Sequence, residues 1–368
     1  MTTAASALSP ALNIASTRTI RLAVGIALAL AFSQAINWPG SFIAPVIASV
    51  ILCLPQSAPT AKFALGFIVV IAASFLLGLL LLPMLHNQPA AGVLAISLGV
   101  FGCFYFGAKG GSPALVTFLL VGMTIVPAIG SESVDAAIGI TWGLIVGAIV
   151  AFLFIWLAFS IIPDPPAGQP TTQSAPNPVS TEAAAYSALR STAIVLPALY
   201  WLFFTSETAA YAVILIKIAT MAQQSSFEDS HSAGRDLLQS TLIGGIAAIA
   251  IWNILQIWPT VIIYSLLFLL CGLIMGPKIF AGEGLTPKGP VWSYGLLTMM
   301  IIVAPAVMDT AGGDGAGSRF SDRITMFVIA TFYAVAAIYI FDLLWPLNRN
   351  NKEKLQHPPE AIRSNEEQ

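Results

Sequence analysis

Residues 135–166 read DAAIGITWGLIVGAIVAFLFIWLAFSIIPDPP, with no charged side chain between Asp135 and Asp164. A helix rises about 1.5 Å per residue, so a run of this length crosses the roughly 30 Å hydrocarbon core of a bilayer, which about 20 apolar residues suffice to span. Gly139, Gly143, Gly147 and Ala151 recur at every fourth position and form a face of small residues suited to close helix packing in lipid. The proline cluster Pro163-Asp164-Pro165-Pro166 then stops the helix. The stretch predicts a membrane-spanning helix, and the rest of the chain repeats its character.

Over all 368 residues, 57% are hydrophobic and 9% are charged. An ordinary soluble protein carries about 25% charged residues, and 15 basic and 17 acidic side chains are too few to cover a soluble fold of this size. The net charge of -2 excludes a basic nucleic-acid binder. Cys53, Cys103 and Cys271 all sit inside apolar runs, and His86, His231 and His357 are scattered. Neither set has the spacing of a metal site or of a Cys/His nucleophile, so no catalytic residue, metal or cofactor is expected.

The apolar stretches number twelve: 19–37, 41–54, 62–83, 90–108, 113–129, 135–162, 189–205, 208–222, 237–257, 259–276, 290–308 and 322–345. The second and eighth are short for a full crossing, and a broken or re-entrant segment is tolerated only where protein or a cavity covers its backbone. Arg18 and Arg21 ahead of Leu22–Phe32 and Ser33-Gln34-Ala35 have the outline of a signal peptide. The apolar segment that follows, and a counterpart later in the chain, favour a retained first span.

Residues 163–188 are rich in Pro, Thr, Gln and Ser and predict an extended cytoplasmic linker. The expected organisation is a first six-helix repeat over 1–162, this linker, a second six-helix repeat over 189–346, and a disordered cytoplasmic tail over 347–368. The repeat rests on a shared order of features. Phe101-Gly102-Cys103 leading to Gly107-Ala108-Lys109 is echoed by Leu270-Cys271-Gly272 leading to Gly276-Pro277-Lys278. Pro113 and Pro127 bracket one span as Pro290 and Pro305 bracket another, and Asp135 and Asp322 each open a last helix. The fold class is therefore an all-α polytopic membrane protein of about twelve transmembrane helices in two parallel repeats. With both termini cytoplasmic, nearly all Lys and Arg fall inside, from Arg18, Arg21 and Lys62 to Arg363; Arg319 and Arg323 fall outside.

Lys217, within Val213–Ala219, is the basic residue expected inside a span. It has two readings: an ammonium snorkelling toward the headgroups near Gln223, or a charge lining a cavity that attracts an anionic substrate. Lys109 and Lys278 occupy equivalent places in the repeats and read as interfacial anchors or as a basic ring at the inner mouth of a central pathway. Asp342, four residues before Pro346, is the acid placed within a span, interfacial or engaged in proton coupling. The Asp309–Gly315 run lacks EF-hand spacing and reads as an outer loop, and no Walker motif is present.

On further residues the chain resembles a known family. They are Arg21-Leu22-Ala23 through Trp38, Ala44-Pro45-Val46-Ile47-Ala48 to Pro55-Gln56, Tyr211-Ala212-Val213-Ile214 through Gln223, and Gly234-Arg235-Asp236 into Leu242-Ile243-Gly244-Gly245. These resemble the fusaric-acid-resistance and aromatic-acid-exporter superfamily over residues 18–346, as a compact member. The resemblance implies an inner-membrane exporter of aromatic carboxylic acids or other small toxic organic anions, working with a periplasmic membrane-fusion-type adaptor. The chain departs from the larger exporters in carrying only a Pro-rich linker where they have a sizeable cytoplasmic domain. The expected partners are the organic anion, the lipid bilayer and the adaptor, with room for a homo-oligomer. The expected function is proton-coupled export. A passive organic-anion channel and a membrane subunit inactive without its adaptor are the alternatives.

Overall fold

The computed structural model describes residues 2–38, 40–164, 181–203, 230–281, 284–310 and 316–344. Its helices are α1 (Thr2–Ile36), α2 (Ile43–Leu52), α3 (Ala61–Leu80), α4 (Leu82–Asn87), α5 (Pro89–Ala108), α6 (Pro113–Glu132) and α7 (Val134–Ile161). After residues 165–180 come α8 (Thr181–Phe203), α9 (Ser230–Ile257), α10 (Val261–Ile279), α11 (Gly289–Thr310) and α12 (Ala316–Leu344). Two-residue strands β1 (Phe280–Ala281) and β2 (Gly284–Leu285) pair antiparallel between α10 and α11. Among the described residues, nine helical segments are long and apolar enough to cross a membrane, with α3 and α4 counted as one. The protein is thus an all-α, multi-pass membrane protein.

Local chemistry sets the helix starts. Thr60 caps α3 by accepting from the Phe63 amide (3.2 Å), and Thr260 caps α10 by accepting from Ile263 (3.3 Å). Ser133 does the same for α7 through Ala136, with Asp135 in the first turn beside the helix dipole. Pro89 and Pro113 open α5 and α6, where a missing amide costs nothing. Pro127, Pro197, Pro277 and Pro305 lie inside helices, as membrane helices tolerate when neighbours compensate.

Two expected boundaries move. The second half begins in helix at Thr181, ahead of the expected start at 189, so the linker is shorter than its composition suggested. Thr181 precedes an alanine-rich turn with Glu182 near the start, a sequence that favours helix once the prolines end. Asp309 and Thr310, read as part of an outer loop, belong to the last turn of α11. The apolar helix ahead of them carries its own hydrogen-bond ladder through both residues.

The short second span is an actual ten-residue helix, about 15 Å long and half a bilayer core. Its flanks complete the passage. Gly40 lies against Gly143, Ile43 and Ala44 against Gly147, Leu52 against Gly25, and the Pro59 carbonyl accepts from Trp156 Nε1 at 2.8 Å. The chain from Gly40 to Pro59 therefore runs beside about 20 Å of α7, from 143 to 156. Ala44, Ile47, Ala48 and Ile51 of α2 are buried, so protein rather than lipid covers that face of the short helix.

The same helix pairings recur on the two sides of the linker. In the first half α3 packs on α6 and α7, and α6 packs on α5 and α7. In the second half α9 packs on α11 and α12, and α11 packs on α10 and α12. The α3–α6 contact closes at Gly78 against the Gly122 carbonyl, and the α9–α11 contact closes at Gly244 against the Gly295 carbonyl. Aromatic pairs join α3 to α7 and α9 to α12. Phe67 meets Phe152 edge-on at 5.4 Å, and Trp252 stacks on Phe320 at 4.6 Å. Between halves, α1 packs along α10 and α5 along α8.

Candidate functional site

The side chains that stand out chemically are arginines buried in an apolar bundle. Helix α1 inserts Leu22, Ala23, Ile26, Ala29 and Leu30 into the core, all at 0% exposure, so its turns from about residue 22 to 30 are enclosed by neighbours. Arg18 (5% exposed) and Arg21 (3%) are carried in with them, and Arg190 of α8 is 6% exposed. Insertion scales charge about 2.5–3.5 kcal/mol for an arginine at the centre of a membrane helix, and such residues mark functional sites by default.

Arg21 is held on three sides. Its Nε donates to the Ile162 carbonyl at 3.0 Å, Nη2 donates to Asp164 Oδ1 at 2.6 Å, and its guanidinium lies 3.9 Å from the centroid of the Phe159 ring. All three partners sit at the end of α7, so the sequence that closes the first half folds back onto its opening helix. Asp164 is 27% exposed while Arg21 is 3%. The carboxylate faces outward and the cation inward. Arg18 and Arg190 are engaged as well. The interval from Arg21 on α1 to Arg190 on α8 equals that from Lys109 to Lys278.

The lysines take local partners. Lys109 caps the C-terminus of α5, is exposed, donates to Thr181 Oγ1 at 3.0 Å and lies 5.9 Å from the Tyr105 ring. Lys278, exposed in the last turn of α10, lies 3.9 Å over the Trp292 ring. Both positive charges complement the negative end of a helix dipole. Their described contacts belong to two different helix pairs and do not join one lysine to the other. Lys217 lies outside the described residues. Asp342 lies on α12, and its side chain is outside them.

Around these groups the helix contacts are close. Gly276 and Gly272 of α10 face Thr19 and Ala23 of α1, where an added Cβ would come within 2.5 Å and 2.7 Å of its neighbours. Across the other junction, Ser97 of α5 and Tyr200 of α8 share a hydrogen bond of 2.7 Å. His86 Nδ1 is 2.9 Å from the Leu82 carbonyl, an ordinary helix contact. Among the described residues no three His, Cys, Asp or Glu side chains gather closely enough to hold a metal ion. Sequence reading placed Arg21 and Arg190 only among the basic residues of the cytoplasmic side. The signal that singles them out is their shared spacing with the lysine pair.

Residues 18–158, the first half without its linker, match a protein family described as "Protein of unknown function (DUF2955)". The match begins at Arg18 and covers Arg21, Lys109 and the Phe159-proximal turns of α7. No curated protein matches the chain, and no solved structure does.

Proposed function

We propose that this chain is an inner-membrane secondary exporter of small organic anions, with aromatic carboxylic acids as the leading substrate class and the proton gradient as the driving force. The observation that carries the reading is the burial of Arg18, Arg21 and Arg190 inside an apolar bundle. A buried guanidinium with a carboxylate already on it is the chemistry that selects organic acids. The resemblance to the fusaric-acid-resistance and aromatic-acid exporters points to the same class.

The recurring helix pairings support twelve spans in two six-helix repeats. The reciprocal α1–α10 and α5–α8 contacts support an axis along the membrane normal, about which one half rocks against the other. Both termini are then cytoplasmic, and a periplasmic membrane-fusion-type adaptor is the fitting partner. Lys217 remains the candidate for a charge within the pathway, and Asp342 the candidate proton-coupling acid.

The test is uptake of labelled benzoate by proteoliposomes with and without an imposed pH gradient, comparing wild type with Lys217→Ala. Gradient-dependent uptake, reduced in the variant, is the expected result. Uptake indifferent to the gradient would make the protein a passive channel. Failure of every carboxylate in a broad panel to move would overturn the export reading for the isolated chain.

A further inference from the structure

Arg21 and Asp164 form an ion pair of unequal members. Arg21 is packed beneath the end of α7, fixed by its Nε bond to the Ile162 carbonyl and by the Phe159 ring under its plane. Asp164 is three residues past Ile161, the last helical residue of that element, beyond Pro163, and keeps about a quarter of its side chain in solvent. Only one carboxylate oxygen, Oδ1, bonds the guanidinium, and only through Nη2. A guanidinium edge offers two parallel N–H donors, and a carboxylate that approaches freely takes both. Asp164 is tied to the backbone at the end of a helix and takes one.

The geometry points to a carboxylate-binding site on Arg21, occupied in this state by Asp164 as an internal stand-in. A small organic acid displaces the aspartate, takes the Nη1–Nη2 edge with both oxygens, and releases Asp164 from α1. The cation stays where it is, because the Ile162 carbonyl and the Phe159 ring hold it from sides the ligand does not need. The binding cost is then the loss of one partly exposed ion pair, a modest term. No bond is made or broken in this exchange. The site takes monocarboxylates, discriminates against neutral analogues of the same shape, and requires the planar fork that lysine lacks. This rests on the anion-export reading and names the residue that receives the anion.

The experiment measures benzoate binding to the purified full chain in detergent by calorimetry, with benzyl alcohol as the neutral probe, and transport of the same acid in proteoliposomes. Asp164→Asn removes the competing charge while keeping an acceptor for Arg21. It should bind benzoate at least about threefold more tightly than wild type, and Arg21→Lys should lose at least about tenfold. Benzyl alcohol should bind to none of them. Thermal unfolding of each variant separates a lost site from a lost fold, and Asp164→Ala supplies a second route to the same tightening. If benzoate is transported but its affinity is unchanged in both Asp164 variants, this inference falls while the export reading stands. If no variant binds or transports any carboxylate, both fall.

Discussion

Two helix pairs make the broadest contacts between the first half of the chain and the second, and they do so by different chemistry. Along α1–α10 the backbones approach through Gly272 and Gly276, which face Ala23 and Thr19 with no room for a side chain. Along α5–α8 the join is polar, with Ser97 bonded to Tyr200 and Lys109 to Thr181. The two pairs share neither the glycines nor the hydrogen bonds. In lipid no hydrophobic force drives helices together, so close van der Waals contact and interhelical hydrogen bonds are the available means. Either suffices at a given place in the architecture. The glycine seam should be intolerant of volume, and the polar seam should be tolerant of single losses.

The largest effect is expected at the glycine seam. Gly272→Leu drives a side chain into the Ala23 backbone, and parting the helices should cost about 3 kcal/mol or more. Unfolding in bicelles measures this, with Gly102→Leu as the control. Gly102 has nothing within 4 Å of a built Cβ and should change stability by less than about 0.5 kcal/mol. Equal losses at both glycines would erase the contrast between the seams. Next comes Tyr200→Phe, which removes the hydroxyl shared with Ser97 and should cost about 0.6–1 kcal/mol by the same assay. The smallest effect belongs to Lys109→Met. It loses an exposed bond to Thr181 and a favourable charge at the helix end, together about 0.5 kcal/mol. A loss at Lys109 as large as that at Gly272 would mean that the polar seam is the stronger of the two.

The long helices were legible because their evidence is local. An uncharged run from Ala136 to Pro163 fixes α7 whatever surrounds it, and proline and threonine at the starts of α5, α6 and α10 place those ends within a residue or two. The short α2 was legible as an anomaly, since its length failed the crossing rule, but the extended flanks that complete its passage depend on Gly143, Gly147 and Trp156 of a distant helix. Helix across Asp309 and Thr310 was missed because polar residues beside a glycine cluster look like a turn when the preceding helix is left out of account.

The candidate site was legible only in outline. Arg21 was read as an ordinary charge at the mouth of a span, where the positive-inside rule expects one. Its burial comes from Phe159, Ile162 and Asp164, residues that the chain places far away and the fold brings back. The lysines were visible as a repeated pair, and their aromatic neighbours Tyr105 and Trp292 were not. A repeat interval applied to every charged residue would have paired Arg21 with Arg190 as readily as Lys109 with Lys278.

The measurement that bears most directly on the account is the concentration dependence of gradient-driven benzoate uptake in proteoliposomes, wild type against Arg21→Lys. The account predicts saturable uptake in wild type that unlabelled benzoate competes away. In the variant, which keeps the charge and loses the fork, the maximal rate divided by KM should fall about tenfold or more while the unfolding temperature holds. Equal uptake by wild type and Arg21→Lys would contradict it, and the buried arginine would then be a structural tie between α1 and α7.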